Sequence, residues 1–278
     1  MNIIKLPESL NLEKSQSVQV YDYSSSKKTS KQQVILNQNT FSFLIEGKKE
    51  VVFDNSDLSI DNRKFLIMKS GLCLMTEKLS EIKNYRSILL FFTNEILSKF
   101  IRKFNLKNIE TAEYKSVYSF EYDEYIKRFV DSLADISKLS KTAQKKIIEV
   151  KFEEIILYLI ELYGTSILYS LTMHNDTIAQ NFTRIVENNQ LKKLTLKQLA
   201  FLCNMSVSTF KREFEKYYSQ SPIKWFQNKR LEHAHYLLTQ KQKKSSEIYL
   251  EIGYENLSSF IQAYKLKYHS TPKQHQIR

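Results

Sequence analysis

Two sets of side chains, about fifty residues apart, carry the groups best suited to reading the edge of a base pair. The first is Ser206, Ser208, Thr209, Lys211 and Arg212; the second is Leu257, Ser258, Ile261, Gln262 and Lys265. A guanidinium presents a planar fork that matches two acceptors of guanine at once, so Arg212 is the candidate base reader. Lys211 can reach guanine or phosphate. Gln262 suits adenine, and Leu257 or Ile261 can meet a thymine methyl. The second set carries fewer charges, which fits it to hold position and read shape. Lys192, Lys193, Lys241, Lys243 and Lys244 are candidate phosphate contacts, although a lysine run is more often a solvated face.

Other chemistries are poorly supplied. The histidines are His174, His233, His235, His269 and His275, so residues 1–173 contain none. His233 and His235 stand two apart on an expected helix and point to different faces, a poor metal pair. Cys73 and Cys203 are the only cysteines, far apart and outside any CxxC pattern, which argues against a disulfide framework or a cysteine-rich zinc site. Both are expected to be core residues. No catalytic residue, cofactor or metal is expected, and the chain is not expected to be an enzyme.

The elements that hold the two sets form an internal near-repeat. Leu199, Ala200, Cys203, Asn204 and Met205 are followed by Phe210, Phe214 and Pro222; Ile248, Tyr249, Ile252, Gly253 and Tyr254 are followed by Phe260, Tyr264 and Pro272. The offset is 49 residues before the turn and 50 after it, so the second turn holds one extra residue. Each copy predicts two short helices joined by a sharp turn. Asn204 and Gly253 are the residue types that accept a left-handed backbone there. Ser206 is a good N-cap, and Pro222 suits a helix start. Ile223, Phe226, Arg230, Ala234 and Leu237 then predict one continuous helix that sets the two pairs apart. Two reading helices about one DNA turn apart, roughly 34 Å, would enter successive major grooves.

Charge points the same way. Residues 175–278 hold 17 Lys and Arg against 8 Asp and Glu, whereas the rest hold 25 against 22. Most of the net +12 therefore lies in the last third, as expected where a chain meets a polyanion.

The first half has a different texture. The runs FSFLI, EVVF, LSI, FLIM, LCLM and SILLFF, separated by turn residues, predict a small antiparallel sandwich or barrel. Residues 1–33 look like a polar lead-in or first strand. Helices are expected after Asn94, at 122–139 and at about 141–163. On the last, Ile148, Phe152, Ile155, Leu159 and Leu162 are spaced four, three, four, three, which suits a dimer seam or packing on the chain's own barrel. The acidic and basic residues within 147–171 exclude a membrane span there, and residues 1–14 lack an apolar signal core. A cytoplasmic location is expected.

Asn204-Met205-Ser206, Phe210-x-Arg212-x-Phe214, Ser221-Pro222, Arg230-x-x-x-Ala234-x-x-Leu237-Leu238, Ile252-Gly253-Tyr254-Glu255-Asn256, Phe260, Tyr264-Lys265 and Thr271-Pro272 together resemble the DNA-binding domain of the AraC/XylS family. Ser219 and His269 stand where that family usually has glycine, Tyr249 replaces a small residue, and Gln262 takes a place often held by arginine. The first half is similar to regulatory domains of AraC-type activators related to type III secretion regulators. The resemblance implies an α+β chain: an N-terminal cupin-like β-barrel or sandwich with helices, then an all-α double helix-turn-helix domain. Metal-dependent cupin chemistry needs clustered histidines, which that half lacks.

The expected division is a regulatory and dimerisation domain at 1–171 (β-rich about 15–93, helical about 94–170), a linker at 172–177 and a DNA-binding domain at 178–278. Within the last, helix-turn-helix pairs span about 196–217 and 245–268, with a linker helix at about 222–238. The expected function is sequence-specific transcription regulation, as an activator; the alternative is a non-specific architectural nucleic-acid-binding protein. Expected partners are double-stranded promoter DNA, a second copy through helix 141–163, RNA polymerase, and an effector of the N-terminal domain. That effector is a small molecule walled by Phe41, Phe43, Phe53, Phe65, Met68, Tyr85 and Phe91, or a protein; small barrels also often pack solid with no ligand.

Overall fold

The computed structural model describes residues 3–12, 16–54, 56–106, 115–136, 139–172 and 178–276. Contacts divide the chain into two units, Met1–Thr177 and Ile178–Arg278. Within the expected linker, Thr172 is still helical and residues 173–177 lie outside the described ones.

The first unit opens with β1 (Ile4–Leu6), a 3-10 turn (Glu8–Leu10), β2 (Val18–Ser25) and β3 (Thr29–Leu36). It continues with β4 (Asn39–Glu46), β5 (Lys48–Val52), β6 (Asp57–Asp61), β7 (Lys64–Met68), β8 (Gly71–Lys78), β9 (Tyr85–Phe92) and, later, β10 (Val117–Glu121). Two five-stranded sheets result, ordered β1-β3-β8-β5-β6 and β10-β7-β4-β9-β2. The polar opening, expected as a lead-in or first strand, holds β1, β2 and the start of β3. β2 is an edge strand with a half-exposed face, which dilutes its apolar alternation. β10, within a stretch expected to be helical, covers the free edge of β7.

Val34, Leu36, Val51, Cys73 and Met75 of one sheet meet Leu44, Leu66, Met68 and Tyr85 of the other. On the opposite face of the second sheet, Phe41, Phe43, Phe65, Ile88 and Phe92 meet four helices. These are α1 (Asn94–Lys103), α2 (Glu124–Ile136), α3 (Lys141–Tyr163) and α4 (Ser166–Thr172). Covered on both faces, β4 and β9 are buried along most of their length and carry dense apolar runs rather than clean alternation. The spaced stripe of α3 is the inner face of this layer: Ile148, Phe152, Ile155 and Leu159 are buried in the chain's own core, and only Leu162 is exposed.

A cavity of about 260 Å³ lies at the first sheet, lined among others by Ile4, Leu6, Val34, Met75, Lys49 and Glu77. Of the seven expected walls only Met68 reaches it. The other six are buried packing residues, with Phe41, Phe43 and Phe65 facing the helices. Lys49 is buried and donates to Ser42 Oγ at 3.2 Å; burial pushes its ammonium pKa down. Among the described residues, no helix is long and apolar enough to cross a membrane.

The second unit contains α5 (Ile178–Asn188), α6 (Leu196–Leu202), α7 (Val207–Tyr218), α8 (Pro222–Thr239), α9 (Ser245–Ile248), α10 (Leu257–Tyr268) and α11 (Pro272–Gln276). The pairs α6–α7 and α9–α10 occupy the repeated segments, and α8 is the helix between them.

Candidate nucleic-acid interface

The repeat seen in the sequence is repeated in the backbone. In the first copy, Cys203 N–H donates to the Leu199 carbonyl at 3.0 Å, Asn204 to Phe201 at 2.9 Å and Met205 to Ala200 at 2.9 Å. In the second, Ile252 donates to Ile248 at 2.9 Å, Gly253 to Leu250 at 3.2 Å and Tyr254 to Tyr249 at 2.9 Å. The bonds from the turn residue and its successor make the Schellman closure of a helix, whose key residue must be left-handed. Asn204 has φ 55° and Gly253 φ 99°.

Each following helix then starts on a side-chain cap. Ser206 accepts from Thr209 N–H at 3.1 Å, and Asn256 from Ser259 N–H at 2.8 Å. The extra residue of the second copy lies between Gly253 and Asn256. α7 and α10 both end on a left-handed residue, Ser219 with φ 53° and His269 with φ 55°, the two positions that depart from glycine. The first helix of the second copy is shorter: α9 spans Ser245–Ile248, where α6 spans Leu196–Leu202. Tyr249 continues beyond it and packs partly buried on the module core.

Aromatic packing turns each second helix outward. In the first module Phe182 of α5, Phe210 and Phe214 of α7, and Trp225 and Phe226 of α8 are buried and in ring contact. In the second, Phe260 and Tyr264 of α10 bury against Leu231, Ala234 and Leu238 of α8. Ser208, Lys211 and Arg212 on α7 are exposed, as are Ser258, Gln262 and Lys265 on α10. The Arg212 side chain is 76% exposed, with Glu213 the nearest acid at 3.7 Å. Its fork is therefore free to turn toward a ligand.

Three expected contacts sit differently. Ser206 is committed as a cap and also bonds the hydroxyls of Ser208 and Thr209, each at 2.9 Å. Leu257 and Ile261 are half-buried against the second module's core, because a helix one turn from its cap still leans on α8 and α9. Leu266 is the apolar residue that α10 presents instead, 73% exposed beside Gln262, Lys265 and His269. Its spacing of four from Gln262 was the available signal. Lys243, a candidate phosphate contact, pairs with Glu251 at 3.2 Å.

Cys203 is buried between α6 and its neighbours, and burial pushes its thiol up to about 12; the same holds for Cys73. Neither thiol is poised as a nucleophile. Among the described residues, His, Cys, Asp and Glu nowhere gather in threes as a metal would need.

Residues 39–171 match the family profile of the ExsA N-terminal regulatory domain, and residues 199–278 that of a helix-turn-helix domain. The thermoregulatory protein LcrF of Yersinia pestis is 29% identical over 127 residues, 45% of this chain and 47% of LcrF. The match thus spans about half of that relative's length. The HTH-type transcriptional regulator ExsA of Pseudomonas aeruginosa is 22% identical over 234 residues, 82% of each chain. Among solved structures, an apo ToxT variant of Vibrio cholerae covers 96% of this chain and 99% of its own, with 12% identity and a TM-score of 0.44. With a regulatory domain of the ExsA type and a helix-turn-helix domain in tandem, the chain belongs to the AraC/XylS family of transcriptional regulators.

Proposed function

We propose that the chain is a sequence-specific DNA-binding activator of transcription that works in the cytoplasm on promoter DNA. The observation that carries this is the duplicated turn: two capped helices, built by the same hydrogen bonds, each presenting an exposed polar face. Arg212 is the principal base reader and Lys211 its neighbour on guanine or phosphate. Gln262 addresses adenine, and Ser208, Thr209, Ser258 and Lys265 hold the phosphate backbone. Family membership supports activation, since the virulence regulon activator VirF of Yersinia enterocolitica is also 29% identical over 127 residues. RNA polymerase is the partner an activator would contact.

The first unit is the input half. With its spaced stripe buried, α3 has Ile147, Val150 and Leu157 left on its outer face, at 36%, 63% and 40% exposure. Their spacing of three and seven puts them on one side of the helix, and a second copy of this chain is the occupant we assign to it. An architectural protein would share the basic second unit but would not need a guanidinium as exposed as that of Arg212 on the outer face of α7.

Selection of binding sites from a random duplex pool by the full chain tests the function. The expected product is a two-part motif with its halves about one helical turn apart. A pool that stays random after repeated rounds would leave only the architectural alternative.

A further inference from the structure

The two modules differ in chemistry around one buried ring. In the first, Val186 of α5, Phe214 of α7 and Trp225 of α8 are all buried, with the Phe214 and Trp225 rings 5.6 Å apart at 78°. Counting 49 residues onward from Val186 and 50 from the other two gives His235, Tyr264 and His275. The ring geometry is kept: Tyr264 and His275 lie 5.7 Å apart at 70°. The chemistry is not. A phenol and two imidazoles replace a valine, a phenyl ring and an indole.

These polar groups satisfy one another. Tyr264 is fully buried, and its hydroxyl lies 2.6 Å from His235 Nδ1 and 2.9 Å from His275 Nδ1. A phenol has one proton to give, so it donates to one Nδ1 and accepts from the N–H of the other. The two imidazoles must then carry opposite tautomers. His235 is on α8, His275 on α11 and Tyr264 on α10, so one oxygen ties the reading helix to both of its supports. Tyr268 of α10 stacks on His235 at 4.7 Å and 20°, closing the remaining side.

We propose that His235 and His275 are positioning residues for α10, acting through the Tyr264 hydroxyl. The clamp accommodates one added proton, on the imidazole that already donates, but not two. A second proton would leave the phenol proton without an acceptor and set two cations side by side, the ring centroids being 5.1 Å apart. The groups facing His235 sharpen this. Lys267 of α10 adds positive charge while paired with Glu232 of α8 at 2.9 Å, Tyr264 and Tyr268 of α10 are neutral phenols, and His275 comes from α11. Burial, then His275, then Lys267 hold the His235 pKa below its ordinary value. Burial also keeps the Tyr264 phenol protonated, with its pKa raised.

The proposal rests on α10 being a DNA-reading helix, but its test begins without DNA. The full chain labelled with ¹⁵N-histidine, observed near neutral pH, should show His235 and His275 in opposite tautomers. Tyr264→Phe, which restores the residue type of the first module, should abolish the split while the fold is kept. On a duplex recovered by selection, His235→Ala, which removes one part-buried hydrogen bond, should weaken binding by about fivefold to tenfold, and Tyr264→Phe, which removes two, by at least as much. Base changes under α10 should then matter less, with those under α7 unaffected. His235→Asn, whose amide can sit where Nδ1 does, should recover most of the loss. Identical tautomers in the unmodified chain, or a His235→Asn variant no better than His235→Ala, would overturn the clamp. A chain with split tautomers and no sequence preference would refute the DNA-reading function and leave the clamp standing.

Discussion

At the scale of single residues, the exposed guanidinium of Arg212 and the buried thiols make opposite predictions. Arg212→Ala is expected to weaken binding to the selected site by about 1–3 kcal/mol and to relax one base position, measured by fluorescence anisotropy on site variants. An equal loss on scrambled duplex would reassign it to phosphate. The thiols of Cys73 and Cys203 sit well above the ordinary range because burial penalises the thiolate. Neither is expected to react with an alkylating reagent at mildly alkaline pH until the chain is unfolded, which mass spectrometry reads directly. Arg212, Lys211 and Gln262 were legible in the sequence because their exposure follows from the spacing of the buried aromatics. Leu266 was not picked out, and Leu257 and Ile261 were misplaced, because how far a helix leans on its neighbours depends on contacts that spacing does not encode.

At the scale of elements, the turns and α3 carry the consequences. Gly253 needs φ 99°, and a β-carbon there would also stand 3.4 Å from Arg230 Cδ. Gly253→Ala is therefore expected to destabilise the second module by about 1–2 kcal/mol, seen as an earlier urea midpoint for α10 amides. The same module should weaken in acid. A histidine held below its ordinary pKa is neutral in the fold, so the unfolded chain binds more protons below about pH 6.5. Stability is present above that range and is lost as pH falls through the lowered value. A flat pH profile between 7 and 5 for α10 would contradict it. On α3, Val150→Glu with Leu157→Glu should yield a monomer by light scattering with unchanged circular dichroism. Phe152→Ala should instead cost about 3–5 kcal/mol of stability, because it opens a cavity in the inner core. Heptad-like spacing showed that α3 has an apolar face; it could not say whether that face met its own sheet or a second copy. The triad of His235, Tyr264 and His275 was equally hidden, since it joins three separate helices whose packing no local spacing encodes.

At the scale of the whole molecule, the chain has a double-sheet first unit, proposed as the input half, and a second, output unit built on a duplicated turn. The strands β4 to β9 were readable because burial on one or both faces leaves dense apolar runs bounded by turn residues. β2 and β3 fell inside the β-rich span but were not resolved singly, because half-exposed strands take serines, lysines and glutamines that resemble loop, and the short β1 and β10 were not placed. The output unit was the clearest part, since a left-handed turn and two aromatic anchors are local requirements repeated at a fixed offset.

The central claim is that this output unit reads sequence rather than charge. Anisotropy titrations of the full chain against the selected duplex and its scrambled counterpart, over a range of salt concentrations, test it most directly. Both affinities should fall with salt as counterions are released, while the selected duplex stays tighter by about a thousandfold or more. Two superimposed salt lines, with a ratio near one at every concentration, would contradict the account.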